Sequence, residues 1–328
     1  MSEQPRAGIL SVGAYVPERV VTNDDMSKIV DTSDEWIFQR TGVRQRRYAR
    51  DDEYTSDMAI AAARLALQRA EMKPEQVEYV LLGTASPDNA FPNTACWVQK
   101  GLGLPDVPCL DISTACSGFL FALELGTSLV NSGSYGNVLV IGAEKLTSIT
   151  NFSDRGSCIL FGDGAGAALL ARTPDRGHVV CSRSGSHFDF DALNMAAGGC
   201  RMPPSHETVE KNHHKIALKG RSIYKFSVQK FTEMAQDACR RAGISPSQVA
   251  QVIPHQANVN IIESAMDRVG IPMDRVLLNI ERYGNTSSAS VPIALDEAVA
   301  KGRIQRGDYV LLLAFGGGLS WGYSLLRW

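Results

Sequence analysis

ALQRAEMKPEQVEYVLLGTAS, from Ala66 to Ser86, and ACRRAGISPSQVAQVIPHQAN, from Ala238 to Asn258, lie 172 positions apart and share 8 identities over 21 ungapped positions. Each segment runs from helix formers through a turn containing proline into an apolar stretch. The same offset pairs Ala122 and Leu123 with Ala294 and Leu295, and Val138 and Leu139 with Val310 and Leu311. A spacing held across several elements reads as an internal duplication. The predicted halves are residues 1–174 and 175–328, divided in the turn-rich RTPDRG stretch near Pro174.

Within each half, helical patterns alternate with short aliphatic runs, which argues for a layered α/β fold. Over residues 56–71 the 3.6-residue period puts Met58, Ala62 and Leu65 on one face and turns Arg64 and Gln68 away. Val77 to Leu82, Val138 to Ile141 and Val310 to Ala314 read as strands covered on both faces, so helices are expected on both sides of each sheet. Residues 185–220, rich in Gly, Pro, His and Asn, have no counterpart in the first half; they are expected to border a substrate channel.

The composition narrows the function. With 328 residues, 44% hydrophobic and 21% charged, the chain has the make-up of a folded globular protein. Its 33 Lys and Arg against 35 Asp and Glu give a net charge of -2, unlike the strongly basic balance of a nucleic-acid binder. No apolar run is long enough for a membrane span, and MSEQPRAGIL lacks the pattern of a secretory signal, so a cytoplasmic protein is expected. The seven cysteines form no CxxC pair and read as reduced thiols. His206, His213, His214 and Cys200 lack metal-ligand spacing, and no metal is expected.

Three polar residues stand out against this background. Cys116 follows the apolar strand of VPCLDISTACSGFLFALELG and opens a helix, where unpaired backbone N–H groups are expected to favour its thiolate. His255, in QVIPHQAN, lies just past the strand from Val249 to Ile253, at the kind of sheet edge where active sites gather. Asn285, in ERYGNTSSAS, precedes the helix that the duplication equates with the one after Cys116, and Cys116 itself falls on Ser288. If the halves face each other, Cys116, His255 and Asn285 converge. Two glycine-rich stretches invite comparison. ILFGDGAGAALLA from Ile159 fits neither phosphate-loop spacing and continues as strand. AFGGGLSWG from Ala314 is either a hairpin turn or a source of oxyanion donors. Arginines at 40, 44, 46, 47 and 50 make one dense positive run, readable as a solvated face or as a surface for phosphates, with Trp36 beside it.

TACSGF, HQAN, GNTSSAS and GGGLSWG, together with DTSDEWIFQRTGVRQR, FPNTACWVQ and DRGSCILFGDGAGA, resemble the β-ketoacyl-acyl carrier protein synthase III family of the thiolase superfamily. The resemblance runs nearly end to end. It implies a five-layer αβαβα fold, a homodimer, no cofactor, and condensation of an acyl-CoA primer with malonyl-acyl carrier protein to start fatty acid synthesis. On this likeness Cys116 carries the acyl group, and its N–H and that of Gly317 hold the oxyanion. His255 and Asn285 donate to the malonyl thioester carbonyl as CO2 leaves. Trp36 and Arg155 sandwich the adenine of CoA, Arg40 contacts the nucleotide end, and Phe91 bounds the acyl pocket across the dimer. Lys225 matches a basic position for carrier-protein docking, whereas the family's arginine after HQAN is replaced here by Asn260. That departure leaves open an acyltransferase on the same fold, or a condensing enzyme of specialised metabolism. The order Cys, His, Asn also occurs in cysteine hydrolases, but the CGxCW signature is absent.

Overall fold

The computed structural model describes residues 6–173 and 177–328; the division expected at Pro174 lies outside them. The main sheet has nine strands: β1 (Arg6–Tyr15), β2 (Tyr79–Gly83), β3 (Cys109–Ile112), β4 (Asn137–Glu144), β5 (Gly164–Thr173), β6 (His178–Ser186), β7 (Val249–Pro254), β8 (Tyr309–Gly316) and β9 (Ser320–Arg327). Their order is β7-β8-β9-β6-β1-β5-β4-β2-β3. It splits in the middle, because β1 and β6 meet through one registered pair, Gly8 opposite His178. On one side β3, β2 and β4 run parallel while β5 and β1 join antiparallel. The other side repeats this: β7 and β8 are parallel, and β9 and β6 join antiparallel. Val252 bridges in parallel to Val276 where the counterpart of β3 would run.

The offset of 172 holds in three dimensions, carrying β4 at 137–144 onto β8 at 309–316 and the 3-10 turn at 115–117 onto the one at 287–289. Ala115 and Ser287, paired by that offset, are both left-handed, with φ of 46° and 48°. Few non-glycine residues adopt this strained conformation, so its recurrence marks two copies of one architecture.

Three apolar layers separate the two sheets and cover their outer faces, giving the five-layer αβαβα arrangement. Helices α1 (Thr55–Arg69) and α2 (Thr94–Leu102) pack outside the first sheet, and α4 (Gly220–Ala242) and α5 (Val259–Val269) outside the second. Between the sheets lie α3 (Gly118–Ser132) and α6 (Ser290–Ala300). Phe119, Leu120 and Leu123 of α3 share one core with Val291, Ala294 and Leu295 of α6 and with strands of both halves. The phenylalanine, leucine and valine side chains among them each contribute about 1.5–3 kcal/mol when fully buried. The buried stripe of α1 is Met58, Ala59, Ala62, Ala63 and Ala66, while Leu65 is only partly buried. Small residues win because the helix backbone approaches β1 closely: a Cβ at Gly13 would stand 2.5 Å from the carbonyl of Ala62.

The stretch ILFGDGAGA leads into β5, and its glycines serve packing. A Cβ at Gly166 would lie 2.8 Å from the backbone nitrogen of Ile293, so α6 crosses the strand only over glycine. Residues 185–220 fold as a cap with a short ribbon, Leu193–Asn194 paired with Ala217–Leu218, and a helix, His206–Glu210. Among the described residues no helix is long and apolar enough to cross a membrane.

Candidate active site

Cys116 sits in the 3-10 turn Ala115–Ser117 between β3 and α3, held by a serine network. Ser320 donates to the carbonyl of Thr114 at 2.9 Å, and Ser117 Oγ lies 2.8 Å from Ser320 Oγ. These contacts tie the cysteine turn to the hairpin joining β8 and β9, so AFGGGLSWG forms a turn and also borders the cysteine. A Cβ at Gly316 would lie 2.6 Å from the backbone nitrogen of Cys116. Gly317 lines the cavity beside Cys116, and a Cβ built there would stand 3.5 Å from the Cβ of Ala115.

His255 follows β7 and is anchored by its backbone N–H, which donates to Leu313 of β8 at 2.6 Å. Its ring stands edge-on to Phe315 at 5.6 Å, and its Nδ1 lies 2.7 Å from Ser290 Oγ. The imidazole is 1% exposed, and burial lowers its pKa to about 3, so it is neutral at physiological pH.

Asn285 is strapped to the other half. Its N–H donates to the carbonyl of Leu160 at 2.8 Å, and its carbonyl accepts from Gly162 at 3.0 Å. A Cβ at Gly162 would lie 2.3 Å from the carbonyl of Tyr283, which makes glycine necessary there. The backbone N–H of Ser287 donates to Asn285 Oδ1 at 2.8 Å. That bond settles the amide orientation: the oxygen is occupied, and the two Nδ2 protons are left to the cavity.

The three side chains line one cavity of about 450 Å³, with Leu193, Met195, Ile216 and Leu218 of the cap among its apolar walls. The cap therefore forms part of the wall of this cavity. A static thiolate at Cys116, expected from the helix start, is not what this environment favours. Burial pushes the thiol up to about 12, with nearby Glu144 adding to the rise and the Ser287 hydroxyl opposing it. The loss of water outweighs the hydrogen bonds from the Ser287 hydroxyl and the backbone that favour the thiolate.

Glu144 has no counterpart in the sequence reading. It is fully buried and accepts from Ala85 N at 3.0 Å, Ser86 Oγ at 2.6 Å and Ser287 Oγ at 2.9 Å. Burial raises its pKa against those hydrogen bonds. Its offset partner is Gly316, the one sequence-level sign that this position matters.

Further out, the guanidinium of Arg40 lies 4.4 Å and that of Arg155 4.8 Å from the Trp36 ring, so these three residues do assemble. Asn258, which lines the cavity, donates to the carbonyl of Arg40 at 2.7 Å and links this cluster to the cavity. Asn260 also reaches that carbonyl, at 3.4 Å. The positive run is less of a patch than its sequence suggests: Arg46 is fully buried, donating to the carbonyls of Val21 and Ile159, and Arg47 is turned onto those of Pro17 and Glu18. Lys225 is exposed on α4 beside Tyr224, a cavity residue. Phe91 is 87% exposed before α2 and does not line the cavity of the single chain. Among the described residues no cluster of three His, Cys, Asp or Glu could hold a metal ion.

Two family models match: 3-oxoacyl-[acyl-carrier-protein] synthase III over residues 110–187 and its C-terminal region over residues 239–328. The β-ketoacyl-[acyl-carrier-protein] synthase III of Caldanaerobacter subterraneus is 47% identical, covering 100% of this chain and 99% of that protein. The crystal structure of 3-oxoacyl-[acyl-carrier-protein] synthase III from Aquifex aeolicus superposes with a TM-score of 0.91 at 43% identity, over 98% of this chain and 100% of that one. A priming β-ketosynthase from the R1128 polyketide pathway superposes with a TM-score of 0.89 at 33% identity, over 99% and 97%. The chain belongs to the β-ketoacyl-acyl carrier protein synthase III family.

Proposed function

We propose that this chain joins an acyl primer from acyl-CoA to the two-carbon unit of malonyl-acyl carrier protein, releasing CoA and CO2. The observation that carries the reading is the convergence in one apolar cavity of a thiol, a neutral imidazole and an amide whose N–H2 group faces inward. Cys116 Sγ attacks the acyl-CoA carbonyl, the C–S bond to CoA breaks, and the thiol proton ends on the departing sulfur. The tetrahedral oxyanion is held by the N–H groups of Cys116 and Gly317. In the second half-reaction the malonyl carboxylate leaves as CO2. Its electron pair passes into an enolate whose oxygen takes hydrogen bonds from His255 and Asn285. The enolate carbon then attacks the acyl-enzyme, and the released Cys116 thiolate takes a proton from water. No added base is required, because decarboxylation generates the nucleophile.

The same reading assigns CoA binding to Trp36, Arg155 and Arg40, whose stacked cluster joins the cavity through Asn258. It assigns carrier-protein docking to exposed Lys225. It also makes the protein a homodimer in which the exposed Phe91 bounds the acyl pocket of its partner.

Intact-protein mass after incubation with a panel of acyl-CoAs, followed by malonyl-acyl carrier protein with CO2 detection, tests this reading. A Cys116 adduct consumed with CO2 release is the expected result. An adduct that survives the malonyl carrier but clears with an alcohol or amine would make the protein an acyltransferase instead.

A further inference from the structure

We propose that the Ser290 hydroxyl is a positioning group that holds His255 in the tautomer with its proton on Nε2. This inference rests on the reading that His255 donates to the malonyl thioester. A neutral imidazole carries one proton, and only the Nε2–H form presents a donor to the cavity while Nδ1 is engaged elsewhere.

The engagement of Nδ1 is on view. Ser290 Oγ stands 2.7 Å from it and 2.8 Å from the carbonyl of Ser287. The hydroxyl has one hydrogen for these two acceptor positions. The Ser287 carbonyl already accepts the backbone N–H of Ser290, so it stays satisfied when the hydroxyl turns away. Nδ1 has no other hydrogen-bond partner among the described residues. A separation of 2.7 Å also suits a hydroxyl donor better than a ring N–H donor, which prefers about 2.9–3.0 Å. The hydroxyl therefore donates to Nδ1.

The turn at residues 287–290 then acts on both polarising groups in the same way. The Ser287 N–H occupies Asn285 Oδ1, and the Ser290 O–H occupies His255 Nδ1. In each case the inner atom is made the acceptor, which leaves the outer atom a donor. Two donors thus face the position where an enolate oxygen forms, with no rearrangement needed during the reaction. Under the offset of 172, Ser290 falls on Gly118 and His255 on Gly83, so the first half lacks both members of this pair.

The test is a two-bond 1H–15N spectrum of histidine-labelled protein, with the His255 signals assigned by comparison with His255→Gln. The wild type is expected to show a protonated Nε2 and a bare Nδ1; a protonated Nδ1 would overturn the proposal without any variant. Ser290→Ala is expected to lose this single tautomer and to slow malonyl decarboxylation on the order of tenfold, the size of one buried hydrogen bond, with Cys116 self-acylation within about twofold. Ser290→Thr, which keeps the hydroxyl, should restore both the spectrum and the rate. Unchanged decarboxylation in Ser290→Ala alongside its collapse in His255→Ala would refute the role of Ser290 alone. Unchanged decarboxylation in His255→Ala would instead refute the reading beneath it.

Discussion

Cys116 is held between opposing influences: burial and the Glu144 carboxylate disfavour its thiolate, and the Ser287 hydroxyl favours it. Burial dominates, so the resting enzyme carries a protonated thiol beside a neutral imidazole rather than a thiolate beside an imidazolium. A small thiolate fraction rises about tenfold per pH unit until the thiol pKa is reached. Alkylation of Cys116 by iodoacetamide is therefore expected to climb without a plateau from about pH 6 to about pH 9, and with no inflection near 6.5 from His255. A plateau below about pH 9 would show a depressed thiol and contradict this environment. The neighbouring N–H is equally exposed to test. A Cβ at Gly316 would come within 2.6 Å of the Cys116 nitrogen and displace the N–H proposed to hold the oxyanion. Gly316→Ala should slow single-turnover acylation by about 10²–10³, as loss of one such donor does elsewhere, with the fold retained. Acylation at the wild-type rate would remove the Cys116 N–H from the mechanism.

At the level of elements, the site depends on how loops from one half are fixed by the other. Asn285 is carried on a loop whose backbone is bound by Leu160 and Gly162, so its position is set by the stretch leading into β5. Gly162→Ala forces that strap apart, since the new methyl would meet the carbonyl of Tyr283 at 2.3 Å. The overpacking should cost about 1–3 kcal/mol in urea denaturation. Its functional signature is selective: CO2 release should fall on the order of tenfold or more while intact mass still reports Cys116 acylation, because the cysteine turn is tied to β8 and β9 instead. Equal loss of both half-reactions would mean that the strap supports the whole site. The contrast explains what the sequence could disclose. Strands β2, β4 and β8 and helix α1 follow from periodicity, and Cys116, His255 and Asn285 from their motifs and placement. The strapping role of Gly162, the burial of Arg46 and the contacts of Ser290 and Glu144 depend on segments far apart in the chain. No local pattern encodes those meetings.

Taken as a whole, the molecule is a doubled fold with one open site. The offset of 172 pairs Cys116 with Ser288, His255 with Gly83, Asn285 with Ser113 and Gly316 with Glu144. The second combination is closed. Glu144 Oε1 reaches the N–H of Ser288 at 3.4 Å, filling the space that Gly316 leaves free beside Cys116. A side chain at Gly83 would come within 2.4 Å of the Gly118 backbone. The duplication is legible in the sequence, but which copy stays hollow is decided by these contacts between halves. The open copy has a cost, because it keeps a neutral histidine inside the shared core. His255 has a native pKa of about 3 against 6.5 in the unfolded chain, so as pH falls below about 6.5 the unfolded state takes up a proton that the native state refuses. Stability from this group is full above about pH 6.5 and is lost progressively as pH falls toward 3. Between about pH 6.5 and 5 the wild type should lose roughly 1.5 kcal/mol relative to His255→Gln, and the buried acids Glu144 and Asp163, which burial pushes above the ordinary carboxylate range, are common to both proteins and cancel in the difference. Urea midpoints of the two proteins across that window measure it. Parallel curves would mean that His255 is protonated in the folded state, and a neutral donor at the heart of the site would have to be abandoned.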